Sequence, residues 1–246
     1  MSFRVFSWIS EADTPTTKRD TMSSDHEQLR SSGKARVTEI ISALKAAHEH
    51  SLDACEKPLH QMPEYFMVTR VGEHFAARFS NFRYHMEASV ADLLTKAGVS
   101  DVNQKALERF PELRPNGRFD LALYTRKRGR PAHIIEFKKG AKLEALKKDI
   151  DRLALLADSV PERSRLETSY LVFITKRTHS RDISDWNDRL QEIVADSLIG
   201  QGKISNDVAC TVKDIWKESE QESDTARDRF YGYTPFSIVI VEIRCL

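Results

Sequence analysis

The chain has 246 residues, 40% hydrophobic and 30% charged, with a formal net charge of +1. This composition is typical of a soluble globular protein with a substantial core. The small net charge excludes a nucleic-acid-binding protein that is basic over its whole length. No apolar run approaches the roughly 18 residues of a membrane span, and the start of the chain does not resemble a secretory signal. Three widely spaced cysteines indicate neither a disulfide framework nor a zinc motif. The sequence therefore predicts a cytoplasmic protein without a membrane partner.

Composition divides the chain into an arm and a body. Residues 1–34 are polar and have no sustained hydrophobic period, which predicts a flexible N-terminal arm. Residues 35–246 are predicted to form a single domain. Its core lies at about 60–178, and a C-terminal extension follows at 179–246.

Hydrophobic spacing predicts two helices before the central strands. Apolar residues at intervals of three and four indicate a helix over residues 35–51. Pro63 suits the first position of a second helix, which is predicted over residues 64–80. The alternation in residues 82–90 favours a strand, although the same stretch could begin a helix that runs to Ala97.

Two predicted strands, 118–124 and 132–138, follow in the middle of the chain. Both are rich in aromatic and branched residues and are bounded by Gly and Pro, as strands commonly are. Side chains alternate between the faces of a strand. We therefore expect Phe119 to share one face with Leu121 and Leu123, and Asp120 to lie on the other face.

A hairpin of these two strands would bring Asp120, Glu136 and Lys138 together on one face. Two carboxylates and an ammonium within apolar strands are unfavourable unless they serve one another or a ligand. One interpretation is a catalytic site. The alternative is an internal ion pair, with Lys138 flanked by both carboxylates on a partly solvated sheet face.

The segments after the hairpin predict further alternation of helix and strand. A helix is expected at about 141–157 and a buried strand at 169–175, which permits a right-handed crossover to a parallel strand. Apolar residues from Ile183 to Leu198 predict another amphipathic helix. The last strand is expected at 236–243.

The stretch between these last two elements, residues 200–234, is polar. We therefore expect this stretch to be weakly ordered, with a short helix around Val212 to Trp216.

Positive charge is concentrated around the hairpin. From Arg118 to Lys148 there are ten Lys or Arg residues against three acidic residues. A basic patch surrounding the candidate site would attract a polyanion. The alternative is a solvated charged face, which is the commoner explanation of a charge run.

The order of helix, three strands, helix and strand, with Asp120 in the second strand and Glu136-Phe137-Lys138 in the third, resembles the PD-(D/E)XK nuclease superfamily. Glu136 lies sixteen positions after Asp120, and Phe119 stands where the family's motif has proline. The resemblance implies an α/β fold with a restriction-endonuclease-like αβββαβ core. A mixed central sheet would be flanked by helices, with an N-terminal helix and a C-terminal helix and strand as extensions.

The resemblance also implies a metal site. Asp120, Glu136 and the backbone carbonyl of Phe137 would hold Mg²⁺, for which Mn²⁺ can substitute, because Mg²⁺ prefers oxygen ligands. Lys138 would orient or activate the attacking water. Glu64 is the predicted additional acidic residue.

Two other glutamates, Glu73 and Glu87, compete with Glu64 for this additional role. All three lie on elements that precede the hairpin. The sequence leaves the choice among them open.

The predicted function is a metal-dependent nuclease that hydrolyses phosphodiester bonds in DNA, with RNA not excluded. Four residues are predicted to contact the nucleic acid, and they are Arg118, Lys139, Lys142 and Lys148. A homodimer is an arrangement that the resemblance suggests. The alternative is a catalytically silent protein of the same fold that binds nucleic acid or a protein partner.

Overall fold

The structure, a computed structural model, describes residues 31–100, 111–113, 116–161, 166, 168–176, 182–204, 207–230 and 233–246. Within these ranges it is an α/β protein built on one six-stranded mixed sheet. The elements in chain order are α1 (Gly33–Cys55), α2 (Glu64–Arg78), β1 (Phe82–Ser89), α3 (Val90–Ala97), β2 (Arg118–Thr125), β3 (Pro131–Lys138), α4 (Leu143–Ser159), β4 (Thr168–Thr175), α5 (Ile183–Ala195), β5 (Val208–Lys217), α6 (Glu220–Arg229) and β6 (Ser237–Cys245). A short 3₁₀ turn, Leu59–Gln61, precedes α2.

The strands lie in the order β1-β2-β3-β4-β6-β5. The first three are antiparallel neighbours, and β3 pairs with β4 in parallel. The helix α4 makes the crossover between β3 and β4, as the sequence predicted. β6 inserts antiparallel between β4 and β5, so the C-terminal strand belongs to the sheet itself.

Helices cover the two faces of the sheet. On one face α1 and α2 pack through residues such as Leu44 and Phe75 against Leu121 and Ile135. On the other face α3, α4 and α5 pack against the strand residues that point the opposite way, including Ile134. Because Glu136 lies two residues after Ile134 on the same strand, it faces α4.

Most predicted elements are confirmed, with shifted ends. The helices expected at 35–51, 64–80 and 141–157 are α1, α2 and α4, and the expected hairpin is β2 and β3. Both interpretations of residues 82–90 are partly right, because the strand ends at Ser89 and α3 begins at Val90. The Ser89 hydroxyl accepts a hydrogen bond from the Asp92 N–H at 3.5 Å, which caps the helix.

The prediction of weak order and a short helix in residues 200–234 is wrong. The structure has the strand β5 there, from Val208 to Lys217, and α6 follows it. Val208, Cys210 and Val212 of this strand are buried in the core beneath α4 and α5. An irregularity in the pairing between Val212 and Asp214 breaks the alternation, which explains why the sequence pattern was misleading.

The expected face of Phe119 is also wrong. Phe119 packs with Ala122 on the α4 side, whereas Leu121 packs on the α1 and α2 side. The neighbouring strand switches faces at the same level: Met86, paired with Leu121, packs on the α1 and α2 side, whereas Ala88, paired with Phe119, packs on the α4 side. Glu87 has a φ of 53°, and this left-handed conformation interrupts the regular alternation of side chains.

Most of the predicted N-terminal arm, residues 1–30, lies outside the described residues. The helix α1 begins at Gly33, inside the predicted arm, where the Ser32 hydroxyl caps it by accepting from the Ala35 N–H. Among the helices that the structure describes, none is long and apolar enough to cross a membrane.

Candidate functional site

The hairpin places Asp120 beside Glu136. Pairing of Leu121 with Ile135 brings the next two residues, Asp120 and Glu136, opposite each other at the open end of the hairpin. The Asp120 N–H donates to Glu136 Oε2 at 3.3 Å, and the Phe137 N–H donates to Asp120 Oδ2 at 2.8 Å. Each carboxylate therefore contacts the backbone of the other strand, and the two acidic groups lie together as predicted.

Glu136 is almost completely buried, with 1% of its surface exposed. Its Oε1 accepts a hydrogen bond of 2.7 Å from Arg152 Nη1. The Arg152 guanidinium also lies 4.0 Å from the centre of the Phe119 ring. This stacking, together with the ion pair, fixes the arginine against both strands.

Burial raises the pKa of Glu136 well above its usual value. The charge of Asp120 and a side-chain hydrogen bond with Asp120 raise this pKa further, while Arg152 opposes the shift. Ionisation of the buried Glu136 beside the Asp120 carboxyl group is unfavourable unless positive charge offsets it. The pair is therefore poised to take up either a proton or a cation.

Lys138 lies at the centre of the acidic groups. Its Nζ is 3.3 Å from Asp149 Oδ2. Burial opposes the charged ammonium, yet the surrounding negative charges outweigh burial and raise the pKa of Lys138. Four carboxylates contribute to this increase, and they belong to Asp149, Glu136, Asp120 and Glu64. The lysine is thus held protonated, which suits it to stabilise negative charge rather than to remove a proton.

Sequence reasoning missed Asp149 and Arg152 on α4. Both are buried, and their separation of three residues places them on the same face of the helix. Burial raises the pKa of Asp149, although Lys138 and Arg152 lower it in part. The available signal was the presence of these two charges beside Ile150 and Leu153, which belong to the buried stripe of the helix.

Glu64 is placed at the site by the start of α2. Its Oε1 accepts a hydrogen bond of 2.8 Å from the Lys139 N–H, directly after β3. Glu73 is exposed and pairs with Arg70 at 3.5 Å. Glu87 is exposed on the edge strand β1. Of these three glutamates only Glu64 contributes to the pKa of Lys138, and its side chain reaches the end of β3 beside the hairpin carboxylates.

The four predicted nucleic-acid contacts are all exposed. Arg118 begins β2, Lys139 follows β3, and Lys142 precedes α4, so these three lie at the open end of the hairpin. Lys148 is in the second turn of α4. The rest of the basic stretch is distributed differently, because Arg126, Lys127, Arg128 and Arg130 lie in the turn at the other end. The expected single patch around the site is therefore divided.

The oxygen ligands at this site suit a divalent cation that keeps several of its waters better than one enclosed by protein ligands alone. Among the described residues, no group of three or more His, Cys, Asp or Glu side chains is positioned to hold a metal. Mg²⁺ commonly binds through one or two carboxylates and keeps several waters, and Asp120 and Glu136 supply such a pair. The four carboxylates around Lys138 face two cations, Lys138 and Arg152, so full ionisation would leave two negative charges for a divalent ion to balance.

Comparison with known proteins assigns no family to the chain. No protein-family model, no curated protein and no solved structure matches it. The geometry and charge of the site are therefore the basis of the functional inference.

Proposed function

We propose that this protein is a metal-dependent nuclease that hydrolyses phosphodiester bonds in DNA. Its restriction-endonuclease-like core would comprise α2, β1, β2, β3, α4 and β4. The observation that carries the proposal is the pairing of Asp120 with Glu136 beside a protonated Lys138. Such a set of groups combines a cation-binding position with a fixed positive charge, which are the two features that attack on a phosphodiester needs.

Each residue of the site has a proposed role. Asp120 and Glu136 would hold Mg²⁺ or Mn²⁺, with the Phe137 carbonyl as a further proposed ligand. When bound, the ion would polarise a phosphoryl oxygen and lower the pKa of a coordinated water. Lys138 would direct its positive charge at the scissile phosphate, and Glu64 would orient water at the end of β3.

Two residues of α4 would support this arrangement. Arg152 fixes the Glu136 carboxylate through the bond of 2.7 Å, which limits the positions that the buried oxygen can take. Asp149 holds the Lys138 ammonium through the contact of 3.3 Å. Both act through other residues and are positioning residues, whose precise support is typical of functional sites.

A specific observation favours a second candidate, a catalytically silent protein of the same fold that binds nucleic acid or a protein partner. Both oxygens of Glu136 already accept hydrogen bonds from protein groups, Arg152 and the Asp120 N–H. A carboxylate engaged in this way is less available to a metal. The presence of the full set Asp120, Glu136 and Lys138 favours the nuclease.

A cleavage assay separates the two candidates. The wild type, Asp120→Asn and Glu73→Gln are incubated with double-stranded DNA, single-stranded DNA and RNA, each with Mg²⁺, Mn²⁺ or EDTA. We expect metal-dependent cleavage by the wild type and by Glu73→Gln, which removes an exposed charge outside the site. Asp120→Asn should lose about 10²-fold or more of this activity, the scale of a lost catalytic group.

The same assay contradicts the nuclease in two ways. Equal cleavage by the wild type and by Asp120→Asn would exclude the proposed site. If the wild type does not cleave under any condition but binds DNA with a strong salt dependence, the silent binding protein replaces the nuclease.

A further inference from the structure

A basic cleft lies at the turn of the β2–β3 hairpin, at the end opposite the carboxylates. Its volume is about 1080 Å³. The walls come from the hairpin turn, the end of α3, the loop before β1 and Pro161 after α4. Among the residues that the structure describes, five cationic side chains line it, and they are Lys96, Arg126, Lys127, Arg128 and Arg130. We call this surface the turn cleft.

The turn that carries four of these cations has a fixed backbone. The Thr125 N–H donates to the Arg130 carbonyl, and the Gly129 N–H donates to the Thr125 carbonyl, each at 2.8 Å. The Arg126 N–H donates to the Asn81 carbonyl at 2.8 Å, which ties the turn to the loop before β1. Gly129 takes a φ of 61°, a conformation that glycine adopts readily. The turn therefore presents its charges from a rigid base.

Within the described ranges of the chain, acidic partners do not balance the charges of this turn. Lys96 pairs with Asp92 at 2.7 Å, and Arg126 Nη2 donates to the Phe82 carbonyl at 3.4 Å. In the part of the chain that the structure describes, Lys127, Arg128 and Arg130 form no ion pair, and no acidic residue lines the cleft. Adjacent like charges repel one another, and an external anion would remove this repulsion.

We propose that the turn cleft binds the phosphodiester backbone of a polynucleotide, at a distance from the carboxylate site. The inference rests on the proposed function in taking a nucleic acid as the ligand. Several exposed cations on a concave surface match a row of phosphates, which neutralise them one by one. None of the described residues that line the cleft is aromatic, whereas protein–protein interfaces usually rely on aromatic anchors. A nucleic acid therefore fits this surface better than an acidic protein does.

The length of β3 sets the distance between the two sites. This strand has eight residues, from Pro131 in the wall of the cleft to Lys138 in the carboxylate site. At about 3.3 Å per residue, seven steps span roughly 23 Å. A B-form duplex rises about 3.4 Å per base pair, so the same distance corresponds to about seven base pairs. A nucleic acid shorter than this would not contact both sites.

Binding measured by fluorescence anisotropy in EDTA tests the inference without any cleavage. The test variant is Lys127→Gln/Arg128→Gln/Arg130→Gln, which leaves Arg126 and its backbone contact intact. The matched control is Lys34→Gln/Lys203→Gln/Arg244→Gln, which removes three exposed cations that do not line the cleft. The ligands are labelled DNA duplexes of 6 and 30 base pairs.

We expect the test variant to bind the long duplex about tenfold more weakly than the control variant. The slope of log affinity against log salt should fall by roughly 2 to 3, because about 0.9 is lost for each phosphate contact. The short duplex cannot span both sites, so the wild type should bind it more weakly than the long duplex, and the test variant should still bind it more weakly than the control variant does.

Three results would overturn the inference. One is equal binding of the long duplex by the test variant and the wild type, and another is an equal loss in both triple variants. The third is unchanged DNA binding together with a turn-dependent loss of binding to phosphatidylserine–phosphatidylcholine vesicles, which would identify a membrane ligand. A wild type that binds through the turn but does not cleave with Mg²⁺ or Mn²⁺ would contradict the nuclease and leave the turn cleft supported.

Discussion

The two ends of the β2–β3 hairpin handle charge in opposite ways. At the open end, charges of both signs are buried or half-buried and are paired, as in the contact of 2.7 Å between Glu136 and Arg152. At the turn, every charged residue from Arg126 to Arg130 is exposed and positive. Buried charges interact strongly because water does not screen them, whereas exposed charges act through a field that salt weakens. The open end is thus suited to hold reacting groups in fixed positions, and the turn is suited to attract a charged ligand.

The largest effect is expected from removing the ammonium at the open end. Lys138→Met should reduce cleavage by about 10²- to 10⁴-fold, the range of a catalytic group that acts on the transition state. Lys139→Met is the matched control, since Lys139 is the next residue and is exposed. It should weaken substrate binding only. Rates measured under single-turnover conditions check the difference, and a similar loss in both variants would remove Lys138 from the mechanism.

The buried cation at the open end should be the most important of these charges for stability. Arg152→Met leaves Glu136 without its buried partner, and we expect a loss of about 3 to 5 kcal/mol in the free energy of unfolding. The double variant Arg152→Met/Glu136→Gln should recover part of this loss because it removes both charges.

Arg128→Met provides the comparison from the turn, where the side chain is exposed. Its effect should stay within about 0.5 kcal/mol. Urea denaturation measures all three variants. The contrast between the two ends fails if Arg152→Met destabilises the protein no more than Arg128→Met does.

A buried histidine near the open end should make stability depend on pH. Burial, with the charge of Lys176 next in importance, lowers the pKa of His60 from 6.5 to about 3. His60 is 7% exposed, so it stays neutral in the folded protein while it takes up a proton in the unfolded chain. The stabilisation that neutral His60 gives to the folded protein is therefore complete above pH 6.5. The free energy of unfolding then decreases by roughly 1.4 kcal/mol per pH unit as the pH falls towards 3.

Urea denaturation between pH 4 and 7 measures this dependence. His60→Phe should flatten the curve of stability against pH, while His50→Phe should leave it unchanged, because His50 is exposed. Parallel curves for the wild type and His60→Phe would show that another group causes the dependence on acid.

A smaller effect is expected at Glu64 than at the buried charges of the open end. Glu64→Ala removes the acceptor of the 2.8 Å bond from the Lys139 N–H, which should destabilise the protein by about 1 kcal/mol. Glu73→Ala, at an exposed position of the same helix, should change stability by less than about 0.5 kcal/mol. Thermal unfolding compares the two. Cleavage rates of the same variants decide the role, and a loss in Glu73→Ala alone would move the additional acidic residue to Glu73.

Local patterns were sufficient to predict much of the fold. The spacing of apolar residues located α1, α2 and α4, and the aromatic and branched runs located β2 and β3. Alternation along β3 correctly placed Glu136 and Lys138 together, because side-chain direction in a regular strand depends only on the strand itself. The same rule was wrong at Phe119, since the left-handed backbone of Glu87 on the adjacent strand is invisible in a local pattern.

The sequence by itself thus determined α1, α2, α4 and the β2–β3 hairpin, and it placed Asp120, Glu136 and Lys138 together on that hairpin. Only the tertiary structure decided which charges meet: it brought Asp149 to Lys138 and Arg152 to Glu136, and it divided the basic stretch between the two ends of the hairpin. It also inserted β6 between β4 and β5. The reason is physical. Secondary structure follows from the periodicity of neighbouring residues, whereas charge pairing and strand order depend on distances through space that packing alone creates.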